Sequence, residues 1–135
     1  MKILYIEDNE QNLYLVMFIL TKHGYQVRAA RDGLEGIRLA GEHRPDLILL
    51  DIQLPSMDGY GVARHLRANP ELAEIPIVAV TSYAMAGDRE KALAAGCTGY
   101  IEKPINPETF VAQVAAHLSG GAPGEGTGAS SCKGS

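Results

Sequence analysis

Apolar positions along the chain switch repeatedly between two spacings. Short continuous apolar runs alternate with stretches in which apolar residues recur every three or four positions. The first run, Ile3-Leu4-Tyr5-Ile6, closes on Glu7-Asp8. Leu13, Val16, Met17 and Leu20 then fall on one helical stripe, and Gly24 ends that helix. Tyr25 to Ala30 reads as a second strand. Asp32-Gly33 forms a turn and cap, and Leu34, Ile37 and Ala40 mark a second helix, stopped by Pro45.

The third strand is the clearest. Leu47-Ile48-Leu49-Leu50 lies between Asp46 and Asp51, and an uninterrupted apolar run predicts burial on both faces, as at the centre of a parallel sheet. A third helix is expected from about Gly59 to Ala68, ended by Asn69-Pro70. Pro76 opens a fourth strand, Ile77 to Thr81. A fourth helix is expected from about Gly87 to Ala95, with Gly96 behind it. The fifth strand is Gly99 to Glu102, followed by Lys103-Pro104. The fifth helix carries Phe110, Val111, Val114 and Leu118 on one stripe. Five strands alternating with five helices predict an α/β fold with a doubly wound parallel sheet.

Composition narrows the picture. A chain of 135 residues, 46% hydrophobic and 21% charged, has room for one ordinary domain. No apolar run nears the roughly 20 residues of a membrane span. The first residues make a poor signal peptide, so a cytoplasmic protein is expected. A net charge of −4 and the lack of a basic block argue against direct contact with nucleic acid or an anionic membrane. Cys97 and Cys132 form no paired motif; Cys97 is expected to be a small buried hydrophobe. His23, His43, His65 and His117 are read as helix-surface residues without metal-site spacing. After Leu118 the chain turns glycine- and serine-rich. Residues 1–118 are therefore expected to form the domain, and 119–135 a flexible tail or linker remnant.

The chemistry-bearing residues all fall at carboxyl ends of strands: Glu7 and Asp8 after the first, Asp51 on the third, Thr81 on the fourth, Lys103 after the fifth. In an open α/β sheet those ends face one crevice, where such folds bind ligands. Three carboxylates packed together repel unless a cation sits among them, and oxygen ligands with room for water suit magnesium. Lys103 adds a fixed positive charge and Thr81 a hydroxyl donor. The set suits a phosphoryl group held beside a carboxylate nucleophile. Each residue alone also has a plainer reading: strand-end caps, helix N-terminal acids, a surface lysine, a β-branched strand residue.

Four motifs in order resemble the receiver domains of two-component response regulators: Glu7-Asp8, the string Asp51-Ile52-Gln53-Leu54-Pro55-Ser56-Met57-Asp58-Gly59, Val80-Thr81-Ser82, and Tyr100 to Lys103-Pro104. The resemblance covers about residues 1–118 and implies a flavodoxin-like, CheY-like sheet of order 2-1-3-4-5 with five helices. It implies that Asp51 is the phosphoacceptor. Mg2+ would be bound by Asp8 and Asp51, by Glu7 through water, and by the backbone carbonyl of Gln53. Thr81 and Lys103 would contact the phosphoryl oxygens, and Tyr100 would be the switch aromatic. Lys103-Pro104 would be a cis peptide, and Gly59 would permit a backbone turn. The implied partners are a histidine kinase or phosphotransfer protein, docking near the first helix, and a downstream effector on the face of helix four, strand five and helix five. The implied catalysis is limited to the domain's own phosphorylation and dephosphorylation.

A narrower likeness, in Glu7-Asp8-Asn9 with Asn12 and in the stretch from Ala79 to Met85, is shared by DivK-type single-domain regulators and by receivers of hybrid histidine kinases. Two other classes compete. A flavin or nucleotide module would want a phosphate-cradling loop after the first strand, where this chain has acids. An aspartyl phosphatase typically needs a second acid two residues after the nucleophile, where this chain has Gln53.

Overall fold

The computed structural model describes residues 1–54, 58–81, 88–103 and 105–120. The chain runs β1 (Lys2–Ile6), α1 (Glu10–Lys22), β2 (Gln26–Ala30), α2 (Gly33–His43), β3 (Leu47–Asp51), α3 (Gly59–Ala68), a 3-10 turn (Pro70–Leu72), β4 (Ile77–Thr81), α4 (Asp88–Ala94), β5 (Gly99–Glu102) and α5 (Pro107–Gly120). All strand pairs are parallel, in the order β2-β1-β3-β4-β5. The expected doubly wound sheet is thus the observed one.

Side-chain alternation along the strands builds two cores. Leu4 and Ile6 of β1, Ile48 and Leu50 of β3 and Ala79 of β4 pack under α2, α3 and α4. Ile3 and Tyr5, Leu47 and Leu49, and Val78 and Val80 pack under α1 and α5, with Phe110 and Val114 among them. The β3 run is fully buried because it lies at the centre, covered on both faces. Each of its apolar side chains contributes roughly 1.5–3 kcal/mol by leaving water.

The helix ends follow the sequence closely. Asn9 caps α1 by accepting from the Asn12 amide, and Asp32 caps α2 by accepting from Glu35. Gly24, at φ 91°, takes the left-handed turn after α1. The helix faces differ in detail from the expected stripes. On α2, Ala40 is buried and Ile37 packs on the core as expected, but Leu34 is exposed, and Gly36 and Leu39 are buried in its place. Gly36 is there because a Cβ would run into Ile6 Cδ1. On α1, Ile19 joins Leu13, Val16 and Leu20 in the core, and Met17 is half-buried. Cys97 is buried with a free thiol. His117 is no plain surface residue: its ring lies against Gly99, where it leaves no room for a Cβ. Pro55 to Met57, Ser82, Pro104 with its expected cis bond, Cys132 and the tail beyond Gly120 lie outside the described residues.

Candidate functional site

The register of the sheet explains why distant residues meet. Ile6 pairs with Leu50, so Glu7 and Asp51 leave adjacent strands at one level. Asp51 pairs with Val80 and Thr81 with Glu102, which brings Thr81 and Lys103 to the same end. The Lys103 amide donates to the Thr81 carbonyl at 2.7 Å, tying the β5 exit to the end of β4. Opposite, the Gly59 amide donates to Ile52 O, and a Cβ on Gly59 would stand 2.5 Å from Ile52 Cα. The structure therefore gives Gly59 a different reason from the expected turn: the start of α3 presses against the chain leaving β3. Asp58 caps α3 through the Tyr60 amide at 3.2 Å.

Glu7, Asp51 and Thr81 are the buried polar or charged residues among those described, at 1%, 2% and 4% exposure. All three sit at this one end of the sheet. Asp8, by contrast, is exposed. Glu7, Asp8 and Asp51 each present a carboxylate oxygen within 4.8 Å of the others. Lys103 Nζ donates to Glu7 Oε1 at 2.9 Å and lies 3.6 Å from Asp51 Oδ2. The Gln53 amide donates to Asp51 Oδ1 at 3.0 Å. The Asn9 amide donates to Glu7 Oε2 at 3.3 Å. Tyr100 is half-buried against the core on the α2–α4 side.

One participant escaped the sequence reading. Tyr5, fully buried, donates its hydroxyl to Glu7 Oε1 at 2.7 Å. The signal was present: positions 5 and 7 of a strand share a face, and a buried tyrosine hydroxyl needs an acceptor.

Charge is unevenly shared among these groups. Burial pushes the Asp51 carboxyl up to about 6, and its hydrogen bond with Glu7 adds to the rise. Burial alone would raise Glu7 too. Hydrogen bonds with Asp51, Tyr5 and Lys103, and the Lys103 charge, reverse that and hold it below its ordinary value. Burial, then the negative charge of Glu7, holds the Tyr5 hydroxyl well above the usual tyrosine range, so it remains a donor. Two buried carboxylates thus share one ammonium, and the imbalance falls on Asp51. An all-oxygen donor set with surplus negative charge fits a small hard divalent cation, and the cluster can hold a metal ion.

A five-stranded parallel sheet with an acid cluster and a lysine at its carboxyl edge defines a doubly wound α/β domain with a charged site at its strand ends. The model of the response regulator receiver domain matches residues 3–115, and the chain belongs to that family, the receiver of two-component signalling. The polar-differentiation response regulator DivK of Brucella anthropi is 44% identical over 116 residues, covering 86% of this chain and 94% of that protein. Among solved structures, the chemotaxis protein CheY4 of Vibrio cholerae superposes with a TM-score of 0.81 at 30% identity, covering 84% of this chain and 95% of that one. The receiver domain of the sensor histidine kinase PA1611 of Pseudomonas aeruginosa, solved with magnesium in its active-site cleft, superposes at 0.80 with 36% identity, covering 87% and 96%. No helix among the described residues is long and apolar enough to cross a membrane.

Proposed function

We propose that Asp51 accepts a phosphoryl group from the phosphohistidine of a histidine kinase or phosphotransfer protein, and that the fold reports the change to a protein partner. The observation that carries this reading is the buried Asp51 carboxylate set between Glu7 and Lys103 at the mouth of the sheet. Asp8, Asp51 and the Gln53 carbonyl would hold Mg2+, with Glu7 alongside. Bound there, the ion would neutralise the crowded carboxylates and the phosphoryl oxygens.

An Asp51 oxygen attacks phosphorus in line. The new P–O bond forms as the P–N bond breaks, and the electron pair leaves with the imidazole. Lys103 moves its charge from the carboxylates to a phosphoryl oxygen, and Thr81 donates its hydroxyl to another. Little else is asked of the protein beyond positioning and charge. Inward movement of Thr81 would open space for Tyr100 and repack α4, β5 and α5 as the effector face, shifting an existing equilibrium.

The donor's approach is supported by α1, whose first turn adjoins the acid pair. Further along the same helix, Tyr14 and Phe18 stack with ring centroids 6.4 Å apart, and both are exposed. A cytoplasmic setting accords with this partner. The receiver would run to the end of α5 at Gly120, two residues beyond the expected boundary at 118, and the remainder would be a tail.

Labelling by acetyl phosphate on a phosphate-affinity gel tests the acceptor: Asp51→Asn should take up no label, and undiminished labelling would sink the assignment. A receiver belonging to a hybrid kinase is the second reading, favoured by the 36% identity to the PA1611 receiver. The flanking gene sequence separates the two.

A further inference from the structure

We propose that Tyr5 is a positioning residue of the acidic site, acting through Glu7. The proposal rests on the magnesium-dependent reading above and deepens it. Tyr5 lies on β1 two residues before Glu7, on the face packed by α1 and α5. Its ring is core, but its hydroxyl has a specific task. Glu7 Oε1 accepts two donors, the Tyr5 hydroxyl at 2.7 Å and Lys103 Nζ at 2.9 Å. Oε2 accepts one long bond, 3.3 Å, from the Asn9 amide. Oε1 is thereby held toward the core and the lysine, and the two donors fix the orientation of the carboxylate beside Asp51.

The length of the glutamate matters to this arrangement. A carboxylate one methylene shorter would sit closer to the strand and away from the Tyr5 hydroxyl. Tyrosine at position 5 and glutamate at position 7 therefore work as a pair.

The pair has a second consequence. Lys103 must leave Glu7 Oε1 to reach a phosphoryl oxygen. A carboxylate at 1% exposure cannot turn to water when it loses that partner. Tyr5 remains as its donor, so Glu7 stays satisfied while the ammonium is reassigned. Groups that orient a metal-binding residue through a hydrogen bond commonly change metal affinity on removal by about 10–100-fold.

The test is a calorimetric titration of the metal-free full chain with Mg2+ alone, with thermal unfolding of each variant alongside. Tyr5→Phe keeps the ring and removes the hydroxyl. The expected result is about tenfold weaker Mg2+ binding by Tyr5→Phe. In a Glu7→Ala background the same substitution should change affinity by less than about twofold, because the acceptor is already gone. A Tyr5→Phe protein that melts earlier yet binds Mg2+ like the parent would show a core residue only, and the proposal would fail. If Tyr5→Phe does not fold, Tyr5→Phe with Glu7→Gln decides. Recovery of the fold beyond what Glu7→Gln alone adds to the parent supports the pairing, since the carboxylate that lost its hydroxyl donor is neutralised, and continued failure overturns it. A parent chain that binds no Mg2+ would instead overturn the site reading itself, which keeps the two failures apart.

Discussion

The two ends of the sheet treat charge in opposite ways. At the amino end, Lys2 donates its backbone amide to Asp46 Oδ2 at 2.7 Å and its ammonium to the His43 carbonyl at 3.1 Å, both in the open. Water screens these contacts, and they cost little to make or lose. At the carboxyl end, Glu7 and Asp51 are withdrawn from water with one lysine between them. The same strands supply both ends. The first arrangement tethers the start of β1 to the connection between α2 and β3, and the second stores electrostatic tension that a cation or a phosphoryl group can relieve.

That contrast can be broken most forcefully at Lys103. Lys103→Met should lower the rate of labelling by acetyl phosphate about 100-fold, the usual scale for removing one preorganised donor at a charged transition state. A time course on the phosphate-affinity gel measures it, and a change under threefold would mean Lys103 plays no part in the transfer.

A smaller effect is expected in stability. Asp51 in the folded chain titrates near 6, above its ordinary 3.8. The native state therefore holds the proton more tightly than the unfolded chain. Its contribution is fully present below pH 3.8 and is lost as pH rises through about 6. Glu7, shifted down, contributes fully above its ordinary 4.5 and does not mask that fall. Asp51→Asn, with no metal present, should flatten the decline between pH 4.5 and 7 and gain about 1–3 kcal/mol at neutral pH. Urea unfolding across that range checks it; a parallel decline in both proteins would refute the assigned tension.

The smallest effect belongs to the opposite end. Asp46→Ala removes the exposed acceptor for Lys2 and should cost under about 1 kcal/mol while leaving labelling unchanged. The same urea series and gel measure both. A large loss of labelling there would erase the contrast between the two ends.

Much of this was legible beforehand. The β3 run of Leu47 to Leu50 announced a central strand because only a strand covered on both faces tolerates unbroken apolar sequence. Asp32 and Gly24 marked helix ends by local chemistry that needs no tertiary partner. Leu34 misled the reading of α2, since periodicity alone does not distinguish Leu34 from Leu39 as the residue facing the sheet. Gly36 settles it: the helix face with no side chain is the one that lies on Ile6. The reason for Gly59 was likewise hidden, because a close approach to Ile52 is a fact about two elements.

The sequence by itself determined the alternation of elements and the placing of Glu7, Asp8, Asp51, Thr81 and Lys103 at strand ends. Apolar spacing and polar punctuation are local properties, and parallel connectivity then sends those ends to one edge. Only the tertiary structure decided how the charges are shared. It buries Glu7 and leaves Asp8 open, gives Lys103 to Glu7 more closely than to Asp51, and brings the Tyr5 hydroxyl onto the glutamate. Distances and desolvation set those outcomes, and both depend on which side chains the packed sheet closes over.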